Sequence, residues 1–231
     1  MSIKVLVQGS GAYVDVFNDI LGVTAVSTAK MDDIALLEFI DECDVVCLTG
    51  GSDINPVLYH QTKNKRTTIN PSRDKNDIMV VERALSKGKR LVGICRGAQL
   101  LCVTAGGTLV QDITGHRFAM QYSKGLGHNI TTINGDSLEV SSTHHQMMHL
   151  TGSNHKLLAW AEGLSKHYLL GENNTSAYVN NMVDSQGAVK EPEAVWFPDL
   201  LGLAVQFHPE RMPKSSKGRK YFEELLWQYV L

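Results

Sequence analysis

Neither sign of charge dominates this sequence: 22 Lys and Arg stand against 24 Asp and Glu over 231 residues, a formal net charge of -2. The two signs are mixed along the whole chain, so no basic face is available to neutralise phosphates and nucleic acid is not expected as a partner. No apolar run is long enough to span a bilayer. The opening residues, Met1-Ser2-Ile3-Lys4-Val5-Leu6-Val7, lack the charged, apolar and cleavage regions of a signal peptide. Cysteine is sparse as well. Cys43, Cys47, Cys95 and Cys102, without an export signal, fit reduced thiols in a cytoplasmic protein rather than a disulfide framework. In such a protein the glycosylation sequons at Asn173 and Asn174 carry no meaning. There is no internal repeat and no linker, and 43% hydrophobic content is enough to bury the core of one domain over residues 1–231.

What is present is an alternation of short apolar runs with amphipathic helical patterns, the order of an α/β protein with a mostly parallel central sheet and helices on both faces. Strands are expected at 3–7, 23–26, 45–48 and 91–94. Between them, Val14, Phe17 and Leu21 recur at helical spacing, 32–40 is helical, and 72–87 carries Ile78, Val81 and Leu85 on one face. Gly88 falls where a left-handed cap would end that last helix. A further helix is expected over 97–105, stopped by Gly106-Gly107. The second half is less regular: short strand candidates at 129–133, 138–141, 157–160 and 194–197 suggest a more antiparallel margin. Residues 171–193, rich in Asn, Gly and Ser, read as a surface loop or cover. A strand at 203–206 follows, and Phe222, Leu225, Leu226 and Tyr229 share one face of a closing helix.

Three segments carry chemistry. Gly93-Ile94-Cys95-Arg96-Gly97 lies between a strand and a helix, the setting of a nucleophile elbow. At such a turn the backbone is strained and the neighbouring chain passes close, so the flanking positions have no room for side chains. The helix that starts after Cys95 presents its unpaired N–H groups to the sulfur, which favours thiolate. Next, Gln206-Phe207-His208-Pro209-Glu210 follows a strand, and His208 and Glu210, two residues apart on extended backbone, are expected to project to the same side. A carboxylate there fixes the imidazole tautomer while the other ring nitrogen takes a thiol proton. Third, Gly50-Gly51 closes a buried strand at its carboxyl end, where ligand sites of open α/β sheets lie. Each segment alone also fits a plainer role: a buried structural cysteine, a solvent-facing histidine, an ordinary turn.

Together they resemble the class I glutamine amidotransferase superfamily, most closely its γ-glutamyl-γ-aminobutyrate hydrolase-like branch, over most of the chain. Gly93-Ile94-Cys95-Arg96-Gly97-Ala98-Gln99-Leu100 is similar to the nucleophile segment and 204–210 to the His-x-Glu segment. Gly50-Gly51-Ser52-Asp53-Ile54-Asn55-Pro56 is similar to the branch's Gly-Gly-x-Asp-x-x-Pro loop. Arg73-Asp74 with Asp77, Gly106-Gly107-Thr108-Leu109 with Gln111-Asp112, and His144-His145-Gln146 also match. The resemblance implies a flavodoxin-like three-layer sandwich. It implies Cys95 as nucleophile, His208 as base and then acid, Glu210 as orienter, and Gly51 and Arg96 as oxyanion-hole amides. Gln99, Ser142, Thr143, His144 and His145, with Gly50 and Asp53, would hold the γ-glutamyl group. The chain departs from the branch in having Ser141-Ser142-Thr143 before His-His, which bears on substrate preference.

The implied reaction is hydrolysis of a γ-glutamyl amide through a thioester, on a small-molecule substrate, with no metal or organic cofactor. A rival is a glutaminase subunit that passes ammonia to a separate synthetase; a second is an inactive binding module. Metal binding is not expected: His144, His145 and His149 cluster, and Cys43 with Cys47, but neither forms a closed set of four ligands. Cys43, Cys47, Met147 and Met148 read as packing residues. Gly9-Ser10-Gly11 has Val14 where a dinucleotide loop needs its third glycine.

Overall fold

Apolar runs too short for helices and without a polar face become the centre of a parallel sheet. In the computed structural model, which describes residues 2–9, 11–117, 127–173, 175–176 and 189–231, the first such run is β1 (Ile3–Gln8). It is followed by α1 (Ala12–Asn18), β2 (Val23–Ser27), α2 (Asp33–Glu42) and β3 (Val45–Leu48), the last buried on both faces. Next come α3 (Pro71–Ser86), β4 (Arg90–Ile94) and α4 (Arg96–Thr104). Gly88 between α3 and β4 has φ +63°, the left-handed conformation expected of a helix stop. Helix α1 is shorter than its apolar spacing suggests. It ends at Asn18, and Leu21, placed in it by the sequence pattern, is 94% exposed in the turn that leads through Gly22 (φ +82°) to β2.

The second half supplies β5 (Thr108–Val110), β6 (Asp112–Ile113), β7 (Gly127–Thr132), β8 (Ser137–Ser141), β9 (Met147–His149), β10 (Lys156–Glu162), β11 (Tyr168–Leu170), β12 (Thr175–Ser176), β13 (Lys190–Phe197), β14 (Gly202–Val205) and α5 (Lys217–Tyr229). Nine strands form the main sheet in the order β2-β1-β3-β4-β14-β13-β10-β7-β8. From β2 to β14 neighbouring strands run parallel; from β14 outward to β8 they alternate. The antiparallel margin is therefore β13, β10, β7 and β8, as the irregular second half suggests. Two small sheets, β12-β11-β6 and β5-β9, complete the described strands.

Alternate residues of the central strands feed two cores. Val5, Val7, Val92, Ile94 and Val205 pack with Phe17 of α1 and Phe222, Leu225 and Leu226 of α5. Leu6, Val46, Leu48, Leu91 and Ala204 pack with α2, α3 and α4 through Leu36, Ile40, Val80, Val81 and Leu101. Helices on both faces of one sheet make the three-layer sandwich. Met147, Met148, Cys43 and Cys47 are fully buried, as packing residues should be. Among the described residues no helix is long and apolar enough to cross a membrane.

Of the 171–193 segment, residues 174 and 177–188 lie outside the described residues. Its end is corrected: Lys190 already begins β13, and Glu191 and Glu193 are fully buried in it. Two glutamates read as a polar loop in sequence; here they face the interior, Glu191 hydrogen-bonded to Leu164, Ser165 and Tyr168 and Glu193 close to three histidines.

Candidate active site

Strands β3, β4 and β14 are adjacent and parallel, so their carboxyl ends open at one edge of the sheet. The three chemical segments leave the sheet there: Gly50-Gly51 after β3, Cys95 after β4 and His208 after β14. Parallel packing thus gathers residues more than a hundred positions apart.

Cys95 bridges β4 and α4 at φ +54° and ψ -105°, a conformation L side chains rarely adopt. Its N–H donates to Val205 O at 2.8 Å and its carbonyl accepts from Gln99 N at 3.1 Å, so the bend is pinned to β14 and to α4. The flanking glycines are sterically required. A Cβ on Gly93 would meet the Gly97 carbonyl at 2.5 Å, and one on Gly97 would run into Leu48 O. As the first residue of α4, Arg96 has an N–H with no acceptor inside the helix. Its guanidinium is buried and paired with Asp74 and Asp77 of α3, and Asp77 also accepts from Arg73 Nε at 2.7 Å. This buried ion-pair cluster ties α3 to the start of α4.

His208 is buried, with Nδ1 2.7 Å from Glu210 Oε1 and Nε2 2.9 Å from Thr143 Oγ1. Its backbone is clamped by Ser141, whose Oγ donates to His208 O at 2.6 Å. The route to Glu210 differs from the extended backbone expected. Pro209–Arg211 is a 3-10 turn, and the two side chains meet because the chain tightens after His208, not because strand alternation aligns them. Burial alone would depress the His208 pKa, but its interactions with Cys95 and with the Glu210 carboxylate outweigh it and raise the value to about 9.

Gly50 shows how close these groups are. A Cβ placed there would lie 3.2 Å from His208 Cε1, 3.8 Å from Cys95 Cβ and 2.7 Å from the Tyr13 hydroxyl. A side chain at position 50 would collide with the Tyr13 hydroxyl and crowd the imidazole, so the β3 loop passes this close only as glycine. Gly51 lies beside the Arg96 side chain, where a Cβ would sit 3.2 Å from Cδ. Tyr13, on α1, belongs to this site and was not singled out by sequence; burial and the nearby Glu210 and Cys95 charges push its pKa up. Its only sequence signal is its position two residues after Gly11.

The residues expected to hold substrate divide. Thr143 faces His208, and its hydroxyl also accepts from Arg211 Nη1 at 3.2 Å. Asp53 lies beside His145, with Nε2 3.2 Å from Oδ1, and His145 Nδ1 stands 3.3 Å from Asp112. The Asp53 interaction leads in raising the His145 pKa. Gln99 is buried and donates to Gln146 O and Gln206 Oε1 at 3.2 and 3.3 Å. Ser142 and His144 are buried too: Ser142 Oγ donates to the His116 carbonyl, and His144 Nδ1 donates to Gln146 O at 2.8 Å. The expected trio of His144, His145 and His149 does not come together. His149 contacts Thr108 at 3.2 Å, whereas His144 joins His116, His128 and Glu193 in the interior.

Comparison with known proteins gives the same lineage as the motifs. The family model of Peptidase C26 matches residues 7–164. The chain is similar to the "Putative glutamine amidotransferase" of Mycobacterium tuberculosis, 31% identical over 201 residues, which cover 81% of this chain and 56% of that protein. It thus spans about half the length of that curated relative. Among solved structures it is similar to a glutamine amidotransferase of Thermotoga maritima, with a TM-score of 0.53 at 14% identity over 100% of this chain and 87% of the other. The glutaminase domain of Trypanosoma brucei CTPS, solved with bound acivicin, gives a TM-score of 0.53 at 12% identity over 97% of this chain and 93% of that domain. At such identities these two structures speak for the fold.

Proposed function

This chain belongs to the Peptidase C26 family, of the class I glutamine amidotransferase type, and from that premise we propose that it hydrolyses a γ-glutamyl amide bond through a thioester on Cys95. The observation that carries the reading is the bend at Cys95, held at positive φ on the N-terminus of α4 against the His208–Glu210 pair at the end of the neighbouring strand.

Cys95 Sγ, as thiolate, attacks the γ-carbonyl carbon, and the carbonyl electron pair moves onto oxygen. The Arg96 N–H, with that of Gly51, donates to the oxyanion. As the tetrahedral intermediate collapses, the imidazolium of His208 gives its proton to the departing amine, the C–N bond breaks and a thioester remains. His208, now neutral, takes a proton from water, whose oxygen attacks the thioester. The second intermediate collapses to the γ-carboxylic acid, which gives its proton to solvent as it leaves, and returns the Cys95 thiolate and the His208 imidazolium. Glu210 stays ionised throughout and holds the charged ring in place. Thr143, hydrogen-bonded to His208 Nε2 in the absence of substrate, would exchange that contact for the leaving group. The reaction uses no metal and no organic cofactor.

The test is turnover of glutamine, γ-glutamyl-aminobutyrate and short γ-glutamyl peptides by the wild type and Cys95→Ala. The hydrolase reading expects at least one of these to be cleaved by the isolated wild-type chain and none by the variant. A second reading, a glutaminase subunit serving a separate synthetase, is supported by the likeness to the relative named as a glutamine amidotransferase. It expects glutamine as the substrate and negligible turnover until a partner chain is added.

A further inference from the structure

Behind the active-site loop, three histidines and a glutamate from distant parts of the sequence converge in the interior: His116 after β6, His128 on β7, His144 after β8 and Glu193 on β13. All four are buried, Glu193 and His116 completely, and their facing ligand atoms lie within 4.8 Å of one another.

Protons are accounted for on the outer side of each ring. His128 Nδ1 lies 3.1 Å from Asn129 O and His144 Nδ1 2.8 Å from Gln146 O, and a carbonyl only accepts, so both Nδ1 atoms carry hydrogen. His116 Nε2 lies 2.9 Å from Glu191 Oε2. Glu191 is itself fixed by the N–H groups of Leu164 and Ser165 and the Tyr168 hydroxyl, at 2.8 to 3.0 Å. Each ring then turns its other nitrogen inward, His116 Nδ1, His128 Nε2 and His144 Nε2, toward the carboxylate of Glu193. Neither Glu193 oxygen has a hydrogen-bond partner, nor has His144 Nε2. Electron-rich atoms facing one another in a dry interior are costly unless something positive lies between them.

The spacing says what fits. His116 Nδ1 to His128 Nε2 is 3.0 Å, and Glu193 Oε1 is 3.1, 3.2 and 3.3 Å from His116 Nδ1, His128 Nε2 and His144 Nε2. A tetrahedral ion with bonds of about 2.0 to 2.1 Å has ligand-to-ligand edges of about 3.3 to 3.4 Å. Charge agrees: among the described residues no Lys or Arg pairs with Glu191 or Glu193, so imidazoles are the one source of positive charge beside these buried carboxylates, and a divalent cation would suit them. The outer hydrogen bonds from each ring to a carboxylate or carbonyl are the support metal-bound histidines require.

The geometry points to a structural zinc site made of His116, His128, His144 and Glu193. Three imidazoles and one carboxylate in a tetrahedron suit Zn2+, and four protein ligands leave no position open for substrate or water. The ion would staple β7 and β13 of the antiparallel margin to the loop of Ser142 to His145. That loop carries Thr143 to His208, and Ser142 Oγ already binds the His116 carbonyl. The site stands independently of the reaction proposed for Cys95.

The test is metal analysis of the wild-type protein, folded in the presence of Zn2+ and desalted without chelator, with anomalous diffraction above and below the zinc edge. The expected result is about one zinc per chain and one anomalous peak enclosed by the four side chains. Chelation should lower the thermal midpoint, and added Zn2+ should restore it. His128→Asn and Glu193→Gln should bind less than about a tenth of the wild-type zinc. Should these variants fail to fold, the wild-type crystals still decide. A folded wild-type protein without zinc, or with zinc only at surface histidines, would overturn the assignment and leave the cluster as a proton-sharing network.

Discussion

His208 Nδ1 stands 2.7 Å from Glu210 Oε1, and both groups are buried at the end of β14 beside the Cys95 bend. A short, charge-assisted contact out of water binds imidazolium more strongly than imidazole. Glu210→Gln keeps the shape and removes the charge. It should lower kcat by about 100-fold to 10,000-fold, as loss of the orienting carboxylate does in related triads. Steady-state kinetics on whichever γ-glutamyl substrate the wild type cleaves checks this, and an effect below tenfold would remove Glu210 from the mechanism.

The raised pKa of His208 sets a pH limit. A ring with the ordinary value near 6.5 would lose its proton by neutrality, whereas one raised to about 9 keeps it. The leaving amine needs that proton, so kcat/KM should hold through neutral pH and fall as pH rises through about 9. Because Glu210 contributes to the rise, Glu210→Gln should move this alkaline limb to lower pH. A wild-type limb near 6.5 would contradict the assignment.

The elbow can be broken without touching a reactive atom. In Gly97→Ala the new Cβ would run into the Leu48 carbonyl, backbone that cannot swing aside. Overpacking of this kind costs typically about 1–3 kcal/mol or more. Denaturant unfolding should show that loss, together with activity reduced out of proportion to the fraction unfolded.

Arg96 has two roles that one substitution separates. In the proposed mechanism its backbone N–H is offered to the oxyanion, while its guanidinium is paired in the interior with Asp74 and Asp77. Arg96→Met leaves the amide, strands Asp74 and leaves Asp77 with Arg73 alone, which should destabilise the fold by about 3–5 kcal/mol, the usual effect of halving a buried ion pair. Any enzyme that still folds should keep most of its kcat.

The parallel half of the sheet was legible because β1, β3 and β4 each carry a short apolar run and because Gly93 and Gly97 advertise the close approach they permit. Cys95, His208 and Glu210 were visible as residues, and their meeting follows from strand order. Three things were not legible. The 3-10 turn at Pro209–Arg211 arises from tertiary packing that pattern does not encode. Tyr13 reaches the site only because α1 folds back over the β3 loop beside Gly50. The start of β13 read as loop because Glu191 and Glu193 look like surface residues until His116, His128 and His144 surround them. That cluster draws on four positions spread over 78 residues, with no local spacing to announce it.

The most direct test of the account is which sulfur reacts. All four cysteines are free, but Cys43, Cys47 and Cys102 are fully buried while Cys95 keeps 9% exposure. Burial pushes the Cys43 thiol up to about 11 and Cys102 to about 12, so neither supplies thiolate at neutral pH. Mass spectrometry of the folded protein after a glutamine-analogue electrophile should find one adduct, on Cys95, slowed by competing γ-glutamyl substrate. An unlabelled Cys95 in folded protein that still turns over substrate would contradict the thioester mechanism.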